Sequence, residues 1–389
     1  MAGPPRVVLA TRLFAPEAAA AALRLRALAS ALADLDRAVE VLTTVPPPGS
    51  GPVEDDPRVR VRRLPALRDK AGVVRGYVPY LSFDLPLAAR LLARRPARLV
   101  VVEPPPTTGL VVRLVCALWR RPYAYYAADV LSDALASGGA PALLVLVLRR
   151  LESWVLRGAR LVLAVSEEVG ERVRALGVPG SRVAVVGNGV DTALFRPDGP
   201  SAGGSGPYLV YAGTMSQWQG VDVLVRAFAT VHGDRPETRL VFLGQGADEP
   251  ALRALAARLC PDGIEFRGVV PPAEAAGWIR GARAALVSIR PGIGYDFAKP
   301  TKVYAATACG VPVIFAGAGA GQRLVADQRL GWAVAHDPAA VAEAMTDALD
   351  GDPWPQAARE RLVRWTRDNA SLSAVAARAA EALNLVVHG

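Results

Sequence analysis

Three residue types are scarce in this chain, and their scarcity removes several classes of protein. Among the 389 residues there are three cysteines, three histidines and only three lysines. The cysteines, Cys116, Cys260 and Cys309, are far apart and odd in number, so no disulfide framework is expected and a reducing cytoplasm is the predicted compartment. Neither the cysteines nor the histidines have the spacing of a zinc or iron site. We therefore expect no bound metal.

Long apolar runs are also missing. No stretch reaches the ~18 uninterrupted apolar residues that a membrane-spanning helix needs. The N-terminal segment MAGPPRVVLAT enters a predicted strand directly and lacks the layout of a signal peptide. Segment 141–161 joins an apolar run to several arginines and Trp154, which favours either a helix resting on an anionic leaflet or one buried against a sheet. The sequence predicts a soluble or peripheral protein.

The net charge of +9 and the pI of 9.9 predict attraction to anions such as nucleotide diphosphates, anionic membranes or nucleic acid. The basic residues are spread along the chain without a run of five, and no zinc finger or RNA-binding aromatic motif is present, so nucleic acid is not expected as a partner. The loop GAGAG (317–321) has the spacing G-x-G-x-G, and the first predicted strand is followed by no glycine. Both features disfavour a nicotinamide site.

Short Val-rich runs alternate with helical patterns along most of the chain, which predicts parallel sheets in two doubly wound α/β domains. The Gly-, Pro- and Ser-rich segment 196–207 predicts a hinge between them. We expect an N-terminal acceptor-binding domain over 1–195, a C-terminal nucleotide-sugar-binding domain over 208–368, and a helical segment over 369–389 that packs back toward the N-terminal domain. Open α/β sheets bind ligands at the carboxyl ends of their strands, so a cleft between the two domains is the expected site.

The segment RPGIGYDFAKPTKVYAATACGVPVI (290–314) carries the strongest local signal. A strand is predicted to end at Arg290, and a helix begins near Pro300, which suits a helix start. Free amides at a helix N-terminus attract phosphate. Two of the three lysines, Lys299 and Lys302, flank this start, and a lysine ammonium is compact enough to approach a phosphate closely. The alternative is a solvated pair that neutralises nearby Asp296.

These segments resemble a known family. PTKVYAATACGVPVI looks like the donor-site segment of family 4 GT-B glycosyltransferases, in the branch that carries the motif P-S-K-x-x-E. VVGNGVDTALFRP (185–197), LVYAGTMSQWQGVDVLVRAF (209–228), LVFLGQG and IEFRGVVP resemble its interdomain stretch and the first strands of its donor domain. LFAPEAAAAALRLRALASAL resembles its first loop and helix. The resemblance covers almost the whole chain and implies the GT-B fold.

The resemblance also implies roles for individual residues. Lys302 is expected to stabilise the leaving phosphate, and Asp129 to orient or deprotonate the acceptor hydroxyl, although an aspartate there equally suits a helix cap or a loop brace. Glu17 and Arg24 are expected to contact acceptor or donor. The alternative is that they are charges at a helix start and on the surface. The expected donor-binding residues are Gly213, Thr214, Gln219, Val269, Arg290, Lys299, Lys302 and Tyr304.

Several positions depart from the family pattern. Ala305 stands where most members carry a glutamate for the donor ribose, and Phe297 stands at the place of its partner carboxylate, so Asp296 or Tyr304 is left to compensate. Thr214 and Gln219 replace an arginine and a lysine. The glycine pair of the N-terminal loop is replaced by residues of the run 18–22.

The expected function is a retaining glycosyltransferase that uses a nucleotide diphosphate sugar, UDP-linked by preference, with no metal and no cofactor. The acceptor is a lipid-linked glycan, a polysaccharide or a natural product, and the Ala- and Arg-rich composition suggests a GC-rich bacterial genome. Two alternatives stay open. Sugar-nucleotide epimerases share the GT-B fold, and the residues Ala305 and Thr214 also fit a non-catalytic nucleotide-binding partner subunit.

Overall fold

A computed structural model describes residues 6–17, 19–48, 50, 52, 55–69, 74, 76–93, 97–137, 141–204, 206–350 and 354–388. The chain forms two units. Unit 1 comprises Met1–Asn188 together with Leu372–Gly389, and unit 2 comprises Gly189–Ser371.

Unit 1 is built on a seven-stranded parallel sheet with the order β3-β2-β1-β4-β5-β6-β7. Its strands are β1 (Arg6–Ala10), β2 (Ala38–Thr44), β3 (Val59–Leu64), β4 (Leu99–Val102), β5 (Tyr123–Ala127), β6 (Leu161–Ala164) and β7 (Val183–Val185). Its helices are α1 (Ala20–Asp34), α2 (Tyr77–Leu92), α3 (Pro106–Leu118), α4 (Leu131–Ser137), α5 (Ala142–Gly158) and α6 (Glu167–Ala175). The C-terminal helix of the chain, Leu372–His388, is numbered α14 and packs on α1 in this unit.

Unit 2 is built on a six-stranded parallel sheet with the order β10-β9-β8-β11-β12-β13. Its strands are β8 (Tyr208–Ala212), β9 (Arg239–Leu243), β10 (Ile264–Phe266), β11 (Ala284–Ser288), β12 (Val313–Ala316) and β13 (Gly331–Val334). Its helices are α7 (Asp222–Asp234), α8 (Glu249–Leu259), α9 (Pro272–Gly281), α10 (Thr301–Ala308), α11 (Gly319–Asp327), α12 (Pro338–Asp350) and α13 (Gln356–Ala370).

Alternate residues of each strand enter different cores, because side chains of a β-strand point to opposite faces of the sheet. In unit 1, Val8 and Val100 face a core shared with α2, α3 and α5, whereas Val7 and Leu99 face a core shared with α1 and α14. Helices thus cover both faces of a fully parallel sheet, as this kind of sheet requires. The strand runs are Val-rich and buried for the same reason. The two sheets have the doubly wound architecture of the GT-B fold that the sequence predicts.

The chain passes from one unit to the other at two places that lie side by side. Val190 pairs with Ser371, and the Val190 amide donates to the carbonyl of Ala370 at 2.8 Å. The segment 196–207, where a hinge was expected, is instead packed on α9 in its described part. Arg280 donates to the carbonyl of Pro200 at 2.9 Å, and the Ala202 amide donates to α9. One backbone hydrogen bond and the Arg280 side chain of α9 hold this Gly-rich stretch within unit 2.

The sequence missed one strand. β13 has four residues, GWAV, lies at the edge of the sheet and is only half-buried along its length. A half-buried strand of four residues that begins with glycine has neither the length nor the β-branched content by which strands are recognised.

Candidate functional site

The carboxyl edge of the unit 2 sheet collects most of the expected donor-binding residues. From β8 the chain continues through β9 to β10 toward one edge of the sheet, and from β11 it continues through β12 to β13 toward the other edge. The topological switch point therefore lies between β8 and β11. Ligands of doubly wound sheets bind outside the strand ends at such a point. The segments that follow these two strands, 213–221 and 289–300, therefore form the core of the candidate site.

Lys302 reaches into this switch point from the first turn of α10. Its Nζ atom donates a hydrogen bond to Oη of Tyr211 at 2.5 Å and lies 4.0 Å from the centre of the same ring. The Tyr211 hydroxyl in turn donates to the carbonyl of Thr214 at 2.5 Å. Tyr211 is completely buried inside β8, so the lysine is held on a rigid element.

Glycine at position 213 makes this placement of Lys302 possible. A Cβ atom built on Gly213 would lie 2.4 Å from Cε of Lys302 and 2.9 Å from its Nζ. The φ angle of Gly213 is also positive, at 145°. Any other residue at 213 would be strained and would push the lysine out of its position.

The ammonium group of Lys302 has no acidic partner. Among the described residues, no carboxylate lies within ion-pair distance of it, and burial lowers the pKa of Lys302 to about 7. A buried cation without a counter-ion is costly, and in proteins such a group either loses its proton or is neutralised by a bound anion. Lys302 is thus the clearest sign of an anion site in the described part of unit 2.

The first turn of α10 offers further donors beside Lys302. Pro300 precedes the helix and supplies no side-chain cap to its free amides. Uncapped amides at a helix start carry a partial positive charge and attract phosphate. The Lys302 ammonium group and the free amides of α10 thus lie at the same edge of the sheet.

Arg290, Lys299 and Asp296 lie in the loop that leads to α10. Arg290 is half-exposed and pairs with Asp222 in the first turn of α7, with Nη2 to Oδ1 at 2.9 Å. Asp222 also lies 3.6 Å from Arg226, so this carboxylate is shared between two arginines. The Asp296 carboxylate accepts from the Gly292 amide at 3.1 Å, which makes Asp296 a brace of this loop. Lys299 is half-buried and stands immediately before Pro300.

Thr214, Gln219 and Val269 occupy the loops after β8 and β10. Gln219 is buried, and its Oε1 accepts from the Ser216 amide at 3.1 Å and from the Thr214 hydroxyl at 3.3 Å. The oxygen of Gln219 therefore holds its own loop in shape. Thr214 and Val269 are exposed, Val269 to 67%.

Tyr304 and Ala305 follow Lys302 on α10 but differ in their surroundings. Tyr304 is buried in the core of unit 2, and its ring lies 6.2 Å from that of Trp365 on α13. This packing turns the ring toward α13. Ala305 is half-buried and lies three residues after Lys302, on the same face of the helix. No carboxylate stands at that place.

A stack of three aromatic rings borders the same loops and was not expected from the sequence. Trp218 lies against Tyr295 with ring centres 4.7 Å apart, and Tyr295 lies 6.2 Å from Phe297. The Arg290 amide donates to the Trp218 carbonyl at 2.9 Å, which ties the β8 loop to the β11 loop. Phe297, at the family's carboxylate position, is a member of this stack.

Unit 1 carries a polar cluster at its own switch point, between β1 and β4. The Thr11 hydroxyl donates to Oε1 of Glu103 at 2.5 Å, and Nη2 of Arg24 lies 3.4 Å from Oε2 of the same carboxylate. Arg24 also lies over the ring of Tyr126, 5.0 Å from its centre. Burial raises the pKa of Glu103, and the charge of Arg24 opposes the shift.

Asp129 lies close to this polar cluster, in the turn after β5. Its side chain is solvent-exposed, but the surrounding protein raises the pKa of its carboxyl, and Arg24 opposes the change. Of the other expected contacts in unit 1, Glu17 is buried in an ion pair with Arg68 at 3.1 Å. Ala18, at the start of the alanine run, lies outside the described residues.

Sequence reasoning missed Tyr211 and Glu103. In the sequence nothing distinguishes Tyr211 from the other residues of its predicted strand. Only the three-dimensional structure brings its hydroxyl to a lysine 91 positions away. Glu103 had a usable signal, because a charged residue that directly follows a buried Val-rich strand is placed at the edge where ligands bind. Among the described residues there is no group of three histidine, cysteine or acidic side chains arranged to hold a metal.

Both halves of the chain match known domain families. Residues 19–189 match the family described as glycosyl transferase 4-like domain, and residues 206–351 match glycosyl transferases group 1. The chain is 35% identical to D-inositol 3-phosphate glycosyltransferase of Streptomyces avermitilis, over 58% of this chain and 51% of that protein. The chain thus spans about half the length of that relative.

Solved structures resemble the fold over nearly the full length. Sucrose-phosphate synthase from Thermosynechococcus elongatus superposes with a TM-score of 0.78 at 18% identity, covering 99% of each chain. HepE from Anabaena, in complex with UDP-glucose, superposes with a TM-score of 0.69 at 14% identity, covering 98% of this chain and 100% of that one. At these identities the likeness shows the fold alone.

Proposed function

Because the two halves of the chain belong to glycosyltransferase domain families and have the GT-B fold, we propose that the protein transfers a sugar from a nucleotide diphosphate to an acceptor hydroxyl. The donor is a UDP-sugar, the anomeric configuration is retained, and no metal or cofactor takes part. The observation that supports this proposal is the ammonium group of Lys302 at the switch point of unit 2, which lies among protein atoms and has no carboxylate within ion-pair distance among the described residues.

The donor diphosphate supplies the counter-ion that Lys302 lacks. Its two phosphates fit the first turn of α10, whose amides are uncapped, and the ammonium group next to Gly213. Arg290 is engaged with Asp222, so Lys302 carries most of the compensating charge, with Lys299 at the mouth of the loop. A UDP-linked donor is proposed because HepE, a protein of the same fold, binds UDP-glucose.

The transfer breaks the bond between the anomeric carbon and the diphosphate oxygen and forms a bond from that carbon to the acceptor oxygen. Negative charge grows on the departing phosphate oxygen, and preorganised cations and amides that stabilise such charge are the largest contribution to this kind of catalysis. The acceptor attacks on the face that the leaving group vacates, and its proton passes to the departing phosphate. The electron pair of the broken bond stays with UDP.

The acceptor is proposed to bind unit 1 near Asp129. This carboxylate is exposed at a strand end, where it can accept a hydrogen bond from the acceptor hydroxyl and orient it, while the proton itself passes to the departing phosphate. Arg24 and Glu103 lie near it and are buried together as an ion pair at 3.4 Å. Lipid-linked glycans, polysaccharides and small hydroxylated natural products are the proposed acceptor classes, and the cytoplasm is the proposed compartment.

A donor screen followed by a transfer assay tests the proposal. UDP-, GDP- and TDP-sugars are added to the purified protein, and the melting temperature is measured, because a ligand that binds the native state stabilises it by about 2.7 kcal/mol at a hundred times its Kd. UDP release is then followed with a panel of acceptors that includes D-inositol 3-phosphate. Stabilisation by UDP-sugars and acceptor-dependent UDP release, both unchanged by EDTA, are expected.

The two alternatives give different results in the same assays. An epimerase converts the UDP-sugar to its isomer when no acceptor is present, which chromatography of the nucleotide sugar detects. A non-catalytic partner subunit is stabilised by UDP-sugars but releases no UDP with any acceptor. No stabilisation by any nucleotide sugar would contradict the donor site itself.

A further inference from the structure

Helices α2, α3 and α5 lie side by side on one face of the unit 1 sheet. Their inner residues fill one core; Phe83, Val112 and Val155 represent the three helices there. Their outer residues are unusually apolar for a protein surface. The exposed apolar side chains of these helices and of the residue after α3 are Val78, Leu81, Leu85, Leu92, Leu114, Leu118, Trp119, Leu143, Leu144, Leu146 and Val147.

The first half of α5 is the most exposed part of this surface. Residues 142–148 read ALLVLVL, and none of them is buried; Leu143 is 73% exposed and Val147 56%. The buried residues of α5, Glu152, Val155 and Leu156, all lie in its second half. Seven consecutive apolar residues at a helix start that cover no core are expected to contact something outside the chain.

The exposed charges on the same helices are of one sign. In sequence α2, α3 and α5 contain two acidic residues, Asp84 and Glu152, and both are buried, to 1% and 2% exposure. The exposed charged residues of α3, its following turn and α5 are all arginines: Arg120, Arg121, Arg149, Arg150 and Arg157. By contrast, α6, on the same side of the sheet, carries both acidic and basic residues in its short length.

From this combination we infer that the outer face of α2, α3 and α5, here called the three-helix face, docks unit 1 on an anionic membrane leaflet. Leucine and tryptophan side chains enter the boundary between headgroups and acyl chains, as they do in interfacial amphipathic helices. The arginines keep their apolar stems near the lipid and present their guanidinium groups to the phosphates. None of the described helices is long and apolar enough to cross a bilayer, so the contact is peripheral.

The charge pattern favours a leaflet over a second copy of this chain. A two-fold dimer places the same patch on both partners, so it would bring arginines of one face against arginines of the other. No exposed acidic residue on the described parts of these helices would compensate for that repulsion. Anionic lipid headgroups supply the missing negative charge. One or two basic residues near such a surface raise the binding constant about tenfold.

Sedimentation with lipid vesicles tests the inference without any need for catalysis. The protein is mixed with vesicles of phosphatidylcholine alone or with vesicles that also contain phosphatidylglycerol. The double variants Leu143→Asp/Val147→Asp and Arg149→Glu/Arg150→Glu each alter one part of the three-helix face. The matched control Arg26→Glu/Leu385→Asp changes an exposed arginine on α1 and a 78% exposed leucine on α14, on the other face of the same sheet.

The wild-type chain and the control are expected to sediment with the phosphatidylglycerol vesicles and to stay in solution with phosphatidylcholine alone. Each variant of the three-helix face is expected to lower the bound fraction at least tenfold while its melting temperature stays unchanged, since the substituted residues cover no core. The inference would be overturned if the wild-type protein did not sediment with anionic vesicles, or if the variants bound as well as the control. A dimer, seen by light scattering, that only the Leu143→Asp/Val147→Asp variant loses would also overturn it, because the face would then be a protein interface.

Discussion

Nζ of Lys302 donates to Oη of Tyr211 at 2.5 Å, and the two residues are joined across the switch point of unit 2, one from α10 and one from β8. The tyrosine offers the ammonium group a neutral hydroxyl and the face of its ring but no negative charge. A cation without a negative partner is what the proposed phosphate site requires.

Replacing Lys302 by methionine is expected to abolish transfer and to stabilise the ligand-free protein. The stabilisation follows because methionine fills a similar volume without a buried, unpaired charge. UDP release and the melting temperature are measured side by side, with the exposed Arg258→Gln on α8 as a control that changes neither. If turnover survives in Lys302→Met, the assignment of the phosphate site is wrong.

Binding of UDP-glucose is expected to weaken as the pH rises above 7. Burial lowers the pKa of Lys302 to about 7 in the free protein, and a bound diphosphate raises it again because it stabilises the ammonium form. Below pH 7 both states are protonated and affinity is constant. Above pH 7 the free protein loses its proton, so affinity falls by up to about tenfold per pH unit until the pKa of the complex is reached. Calorimetry across this range, with Lys302→Met as a pH-independent control, measures the slope.

The ligand-free protein is expected to show the opposite trend in stability. The folded-state pKa of Lys302 lies below its ordinary value of 10.5, so between about pH 7 and 10.5 the unfolded chain binds more protons than the folded one. Stability therefore rises with pH in this window and is lowest below it. Urea unfolding of wild type and Lys302→Met at both ends of the window should reveal a difference in slope, and parallel curves would contradict the burial of a titrating lysine.

Gly213→Ala is expected to lower donor affinity by tenfold or more. The added Cβ would meet Cε of Lys302 at 2.4 Å, and the backbone at 213 has a φ of 145°, so the lysine has to move. Gly233→Ala is the matched control, because a Cβ there meets nothing within 4 Å and alanine favours the helix α7 by about 1 kcal/mol. Calorimetry with UDP compares them; equal affinities would mean that the position of Lys302 does not matter for binding.

Asp129→Asn is expected to lower kcat at least tenfold and to leave the affinity for UDP unchanged, since the proposed role of this residue concerns the acceptor alone. Its exposed side chain also predicts an unchanged melting temperature. Glu103→Gln provides a contrast, because it removes the charge partner of the buried Arg24 and should destabilise unit 1 by about 3 kcal/mol. A loss of stability in Asp129→Asn of the same size would show a loop brace instead of an acceptor contact.

Ala305→Glu is expected to tighten UDP binding. The new carboxylate lies on the same face of α10 as Lys302, one turn further along, where it can reach the ribose hydroxyls of a nucleotide held at the helix start. Calorimetry with UDP and with its 2′-deoxy analogue separates this gain from a general change in charge. Weaker binding of both ligands would indicate that the glutamate pairs with Lys302 and competes with the diphosphate.

Most of the fold could be predicted from the sequence because nearly every element, β13 excepted, carries its own local signal. Buried parallel strands appear as Val-rich runs such as LVVV at β4, and the amphipathic helices between them have a period that differs from that of strands. The start of α10 was likewise visible, because Pro300 and the two neighbouring lysines mark it within a few positions. Local patterns determine which element forms and where it begins.

The site was only partly predictable, because its geometry joins residues that are distant in sequence. The sequence placed Lys302 at a helix start, but only the packing of α10 beside β8 gives it Tyr211 as a partner and surrounds its ammonium group with protein atoms. Other tertiary contacts turn Tyr304 toward Trp365 and pair Arg290 with Asp222. The apolar surface of unit 1 is a similar case. The leucines of α5 are visible in the sequence, but their exposure beside the apolar residues of α2 and α3 depends on which sides of these helices pack on the sheet. Composition and periodicity determined the secondary structure of this chain, and the tertiary structure decided which charges are paired, because burial and counter-ions depend on distances that sequence order does not specify.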